Sequence, residues 1–331
     1  MGTCQISNQD YMTVWRIMMK AMNRIRASLI GAILFLFCIP ALSCAGSANL
    51  VSVGWLASHM KQKNLVILDV SDFTHYEENH IPGAIRAFGP WQIMNADFVG
   101  FMMPSQDQLV KMLRTYGVNN NSSIVIYDEG NTANDTAKSA RALWTINVLG
   151  HKRVAILNGG LSAWKRAGKK VTTQDVAPLY GNFTARPVPA LVATLKEVEK
   201  KIGSKKVVFL DNRGADEYFG QEKKSYIKRF GHLPGALLWP ASYMTNAGVD
   251  FSPSLFRNVK ELRKMAKGVG LPANKNVEII TYSNQGSSAA MGYYVLHDIL
   301  GYRNVKLYDG SILQAAAVTA VPLNINGWGF N

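Results

Sequence analysis

Beyond Ala45 the chain contains no cysteine. Its three cysteines, Cys4, Cys38 and Cys44, all precede that point in a sequence of 331 residues. A disulfide framework, a cysteine-ligated metal and a cysteine nucleophile are therefore excluded from the remainder. Acidic residues are scarce too: 22 Asp and Glu against 36 Lys and Arg give a net charge of +14, with a pI near 9.6. That balance favours anionic partners. The basic residues are scattered ("KKVVFLDNR", "QEKKSYIKR", "FRNVKELRKMAK") and mixed with Asp or Glu. This is the pattern of a solvated surface, and no nucleic-acid partner is expected. No GxGxxG or P-loop context surrounds "GVGLP", so nucleotide binding has no support. No cofactor and no metal are expected.

What is present first is a targeting segment. Arg24 and Arg26 precede "ASLIGAILFLFCIPALS", an apolar run ended by small residues. That is the pattern of an export signal, and it is short for a stable membrane span of ~20 residues. The stretch ahead of Met22 is long for an n-region, and a start at Met22 would give a signal of ordinary length. Residues 1–44 are read as this signal. Cys44 follows "ALS", as in a bacterial lipoprotein signal whose cysteine is lipidated after cleavage; ordinary cleavage near Ala45 is the alternative. The expected location is the bacterial periplasm, free or membrane-anchored through lipid. Without residues 1–43 the charge is (36 − 4) − (22 − 1) = +11, so the basic bias belongs to the folded part.

The rest is a tandem duplication. "LGHKRVAILNGG" from Leu149 matches "LGYRNVKLYDGS" from Leu300, and "NHIPGAI" at Asn79 matches "GHLPGAL" at Gly231. "VILDVSD" and "SIVIYDEG" likewise pair with "VVFLDNR" and "VEIITYSN", in the same order. In each half short apolar runs alternate with helical periodicity, which argues for parallel sheets covered by helices on both faces. Gly117, Gly150 and Gly301 follow helical patterns as C-terminal caps. The expected layout is a first domain over 48–170, a linker over 171–189 ("VTTQDVAPLYGNFTARPVP") and a second domain over 190–320. Hydrophobic content of 48% and charged content of 18% suit two globular domains.

Chemistry in open α/β sheets sits beyond the carboxyl ends of strands. There, after "VEIITY" and before a helix, lies Ser283-Asn284-Gln285-Gly286-Ser287-Ser288, without cysteine, histidine or charge. Backbone N–H groups at a helix N-terminus form an anion site, and Gly286 lets the chain turn tightly. The duplication, "GHLPGA", the strand ending at Tyr282, this loop and "LGYRNVKLYDGS" together resemble the two-domain rhodanese family, the thiosulfate and 3-mercaptopyruvate sulfurtransferases. The resemblance covers roughly Ala48 to Ala317. It implies two α/β domains with the active site on the second, near the interface. It also implies a first domain without a nucleophile, where Asp128 follows Tyr127.

By the same resemblance, Ser283 stands where the family has the cysteine that carries sulfur as a persulfide. A thiolate is stabilised in such a loop, whereas serine stays protonated without a base, and an O–S adduct would not serve as a stable carrier. Three further departures agree: positions 284–288 carry no Arg or Lys, Glu217 replaces a substrate-binding arginine, and "ILQAAAV" follows "YDGS" without tryptophan, although "NGGLSAW" in the first half keeps Trp164. The expectation is a protein that has lost persulfide transfer at Ser283 but binds a small sulfur-containing anion or related oxyanion. The expected binding groups are Asn284, Gln285, Gly286, Ser287, Ser288 and Arg213, the last also suited to pairing with Asp211. An envelope protein partner is a further expectation. The alternative is a working sulfurtransferase using a partner's thiol or Ser283. His80 and His232, present in both halves, read as turn histidines rather than acid–base groups.

Overall fold

The computed structural model describes residues 49–97, 99–246 and 252–329. The export-type segment with Cys44 lies outside them, and among the described residues no helix is long and apolar enough to cross a membrane. In the first domain the elements are β1 (Leu50–Val51), α1 (Val53–His59), β2 (Leu65–Asp69), α2 (Phe73–Glu78), β3 (Ile85–Arg86), α3 (Gln106–Thr115), β4 (Ser123–Tyr127), α4 (Ala133–Val148), β5 (Val154–Leu157) and α5 (Gly160–Arg166). The second domain repeats the scheme with β6 (Val192–Ala193), α6 (Leu195–Lys201), β7 (Val207–Asp211), α7 (Ala215–Phe219), β8 (Leu237–Leu238), α8 (Val259–Gly268), β9 (Glu278–Tyr282), α9 (Ser287–Tyr294), β10 (Asn304–Tyr308) and α10 (Ser311–Ala315).

The two five-stranded sheets have matching orders, β1-β5-β4-β2-β3 and β6-β10-β9-β7-β8. All their ladders are parallel. The central strands are continuous apolar runs, as burial on both faces requires. Gly117, Gly150 and Gly301 take φ of 71°, 86° and 75°, the left-handed geometry that ends a helix.

The halves are braced by the same internal bonds. His80 stacks on Tyr76 and His232 on Tyr218, at 3.8 and 3.7 Å between centroids. Each histidine Nδ1 bonds that tyrosine's carbonyl. The Tyr127 hydroxyl accepts the Ile81 N–H, and the Tyr282 hydroxyl accepts that of Leu233. Burial holds the His232 imidazole below its ordinary pKa, which suits a neutral bracing role. His80 also pairs with Thr172 and His232 with Asn324 through short antiparallel bridges. The linker is therefore laid against the first domain: Gly181, Phe183, Arg186 and Val188 donate N–H groups to Arg114, Val118, Leu149 and Val148. Beyond residue 320 the chain likewise stays on the second domain, with Gly329 N–H on the Tyr218 hydroxyl.

The domains share a core. Leu143, Trp144 and Ile146 of α4 and Met291, Tyr293 and Tyr294 of α9 belong to one cluster of buried side chains. Each such side chain contributes about 1.5–3 kcal/mol on burial, which makes the pair a fused body. The first turns of both helices, Asn134, Ala137 and Lys138 of α4 and Ser287 and Ser288 of α9, line one cavity, so the two domains present their loops on the same side.

Candidate functional site

The loop 283–288 leaves the end of β9 and opens α9. Gly286 takes φ +89°, and a Cβ there would lie 2.7 Å from Arg141 Nη1, so the tight turn requires glycine. Ser283 is 2% exposed. Its N–H donates to Ser311 Oγ at 3.1 Å, and its carbonyl accepts the Ile312 N–H at 3.0 Å. Ser311 is itself held at φ 50° and donates its hydroxyl to the Tyr308 carbonyl. Gln92, from the first domain, clamps the loop: it donates to the Gln285 carbonyl at 2.6 Å and accepts the Ser287 hydroxyl at 3.0 Å. Asn284 donates to Glu217 at 2.6 Å. Neither Gln92 nor Ser311 was recognisable from sequence, since their partners are long-range and each looks like an ordinary loop residue.

The equivalent loop of the first domain has the same scaffold but different side chains. The Asp128 carbonyl accepts the Leu161 N–H, and the Asp128 carboxylate accepts the Gly130 N–H at 2.7 Å and the Ser139 hydroxyl. Helix α4 is closed by a Thr132/Asp135 capping box. Three carboxylates, Asp128, Glu129 and Asp135, thus occupy that loop. Helix α9 has no side-chain cap and no acid in its first turn. Among the described residues the Ser287 and Ser288 N–H groups meet no protein acceptor, and both residues line a cavity of about 450 Å³. Donors at an uncapped helix start with the dipole behind them attract anions.

That cavity lies between the domains. The second contributes Arg213, Glu217, Lys224, Tyr226, Ser242 and the loop; the first contributes Asn134, Ala137 and Lys138. The expected site residues thus meet, with two corrections. Gly286 does not offer its N–H to a ligand, because the Ser283 hydroxyl accepts it at 3.1 Å. Arg213, 4% exposed, grips Asp211 through Nε and Nη2, the latter at 2.6 Å, and bonds the Gly231 carbonyl. Burial lowers and the Asp211 carboxylate raises its pKa, with a net rise. Its charge is therefore largely neutralised before any ligand arrives. Among the described residues the Asn284 Oδ1 and Gln285 Oε1 atoms are buried without a protein partner, so the loop also holds acceptors.

Ser283 has one side-chain hydrogen bond among the described residues, and it is to an N–H donor. Among the described residues no histidine, lysine or carboxylate is hydrogen-bonded to that hydroxyl. Behind the loop, Arg141 of α4 pairs with Asp309 at 2.5 Å, and the other Asp309 oxygen accepts the Met103 N–H at 2.7 Å. For a cation, among the described residues, Asp72, His75 and Glu129 bring ligand atoms within 4.8 Å of one another. Two of these residues are exposed and Asp72 already holds Lys138 at 3.2 Å.

A profile of the Rhodanese-like domain matches residues 52–167 and 194–317, one copy per sheet. The chain belongs to the rhodanese-like family. It is 29% identical over 289 residues to a provisionally named thiosulfate sulfurtransferase of Mycolicibacterium smegmatis, covering 85% of this chain and 99% of that one. It is 27% identical to the sulfur carrier protein TtuD of Thermus thermophilus, covering 83% and 95%. Among solved structures, wild-type EanB superposes with a TM-score of 0.73 at 18% identity, over 84% of this chain and 69% of that one. An anaerobic ergothioneine biosynthesis enzyme from Chlorobium limicola, solved with trimethyl histidine, gives 0.71 at 19%, over 84% and 70%. At these identities the structural likeness establishes the shared rhodanese-like fold alone.

Proposed function

We propose that this rhodanese-like protein is exported and binds a small sulfur-containing oxyanion at the 283–288 loop without carrying sulfur on residue 283. Ser283 occupies the position of the sulfur-bearing cysteine in this reading. The relatives' sulfurtransferase and sulfur-carrier names supply the substrate class. The observation that carries the proposal is the neutral, uncapped start of α9 opening on the interdomain cavity, beside a serine whose hydroxyl accepts rather than loses a hydrogen bond. A hydroxyl without a base to take its proton is a poor nucleophile, and the loop N–H groups stabilise bound charge without abstracting a proton.

The oxyanion would sit on the Ser287 and Ser288 N–H groups. On the cavity wall Lys224 offsets Glu217, while Lys138 is paired with Asp72, so the N–H groups supply the attraction for a single negative charge. Amide spectra recorded during titration with thiosulfate and with sulfate are expected to shift at 284–288. In a thiosulfate:cyanide assay the parent protein is expected to be inactive, and Ser283→Cys to gain turnover. Parent turnover that survives Ser283→Ala would overturn the assignment of the site.

A further inference from the structure

Lysines that look scattered in sequence gather on one face of the fold. Because both sheets are parallel, each domain has a side where strands end, holding the site loops, and a side where they begin. The beginnings of β2, β4, β5, β7, β9 and β10 are reached through residues 60–64, 119–122, 149–153, 202–206, 271–277 and 300–303. Those segments contain no Asp or Glu. They carry Lys61, Lys63, Lys152, Arg153, Lys205 and Lys206, all exposed. Arg303 is exposed beside them, while Lys275 is half-buried over the Tyr302 ring. The helix dipole accounts for basic residues in the last turn of a helix, but these lie in the loops beyond. The nearest strand acid, Glu278, is already bonded to Lys201 and Lys306.

The two basal faces point the same way. Asn49, where the chain enters β1, accepts the Tyr294 hydroxyl and donates to Asp298, both toward the far end of the α9 segment. At the opposite side Asn134 and Lys138 share a cavity with Ser283. The apolar run of the targeting segment ends at Ser43, 49 − 43 = 6 residues before Asn49, a tether of at most about 20 Å. Whatever holds that segment in a bilayer therefore brings the basic face to the bilayer.

We infer that this basal face docks on an anionic lipid surface, leaving the interdomain cavity facing away from the membrane. The inference concerns orientation and is independent of the chemistry at Ser283. Basic side chains near an anionic bilayer each raise partitioning roughly five-fold, and the attraction is screened over about 10 Å at moderate salt.

The test uses the full chain reconstituted on vesicles of phosphatidylcholine alone or mixed with phosphatidylglycerol, with lysine acetylation read by mass spectrometry. On the mixed vesicles Lys61, Lys63, Lys152, Lys205 and Lys206 are expected to be protected several-fold, and to lose that protection in high salt. Lys224 at the cavity should label equally on both vesicles. The variant Lys63→Gln/Lys152→Gln/Lys205→Gln/Lys206→Gln, altered only at exposed side chains, should melt as the parent does yet lose the lipid-dependent protection of Lys61. Equal labelling of the basal lysines on both vesicles overturns the proposal. Equal protection by a DNA duplex in place of vesicles overturns the assignment to lipid.

Discussion

Asp309→Ala tests whether the two domains are held by charge as well as by packing. The Arg141–Asp309 pair spans them at 2.5 Å with side chains only 2% and 6% exposed. Among the described residues Arg141 Nε and Nη2 have no hydrogen-bond partner, so Asp309 is the group there that compensates its charge, with the Trp144 ring 4.7 Å away. Removing one partner of a buried pair costs about 3–5 kcal/mol, and stranding the Met103 N–H adds about 1 kcal/mol. Asp309→Ala should therefore lose about 4–6 kcal/mol, a large part of a total stability of about 5–15 kcal/mol. Arg141→Met with Asp309→Asn removes the stranded cation and keeps an acceptor for Met103. That double variant should lose only about 1–2 kcal/mol, less than Arg141→Met and Asp309→Asn made singly lose in sum, a coupling of the kind double-mutant cycles detect. The assay is urea unfolding followed by tryptophan fluorescence at several salt concentrations. Asp309→Ala within about 1 kcal/mol of the parent, or additive effects around the cycle, would mean that the guanidinium is solvated and the reasoning wrong.

Three further outcomes follow from the same geometry. Burial pushes the Asp128 carboxyl up to about 7, above an unfolded value of about 4. The folded chain thus keeps a proton that the unfolded chain gives up. Stability should fall by about 4 kcal/mol as pH rises through that interval, and Asp128→Asn, compared with the parent by denaturant titration, should remove the difference. Gly286→Ala should cost about 2–3 kcal/mol in thermal or chemical unfolding, from a left-handed backbone and a Cβ pressed on Arg141; a neutral result would show that the loop can rearrange. Arg213→Gln should destabilise by about 3 kcal/mol because it strands the buried Asp211, while changing thiosulfate affinity less than two-fold by isothermal titration. A large affinity loss with intact stability would restore Arg213 as a ligand.

The duplication was legible because its landmarks are local. "HIPGA" and "HLPGA" sit at turns whose histidines stack on tyrosines, and the strand runs ending at Tyr127 and Tyr282 are set by burial on both faces. The position of the candidate loop followed from strand order. Its wiring did not. Gln92 reaches Gln285 across 193 positions, and Arg141 reaches Asp309 across 168; nothing at either residue announces its partner. Gly286 was recognised as a turn former, but the use of its N–H by Ser283 depends on a hydroxyl orientation that spacing cannot convey. "KKVVFLDNR" seemed to mix its charges, yet the five residues of β7 carry Lys205 and Lys206 to one side of the sheet and Asp211 and Arg213 to the other.

The strand orders also govern assembly during synthesis. In each domain the first strand pairs with the last: Leu50 lies opposite Ile156, and Val192 opposite Leu307. A chain that emerges from its N-terminus must keep β1 unpaired until more than a hundred further residues have appeared. Closing so long a loop carries an entropic cost that the other strands offset only once they have collapsed together. Each domain is therefore finished by its own opening residues, in one late and cooperative step. Until then the edge of β5 stays open, an unpaired row of backbone donors and acceptors.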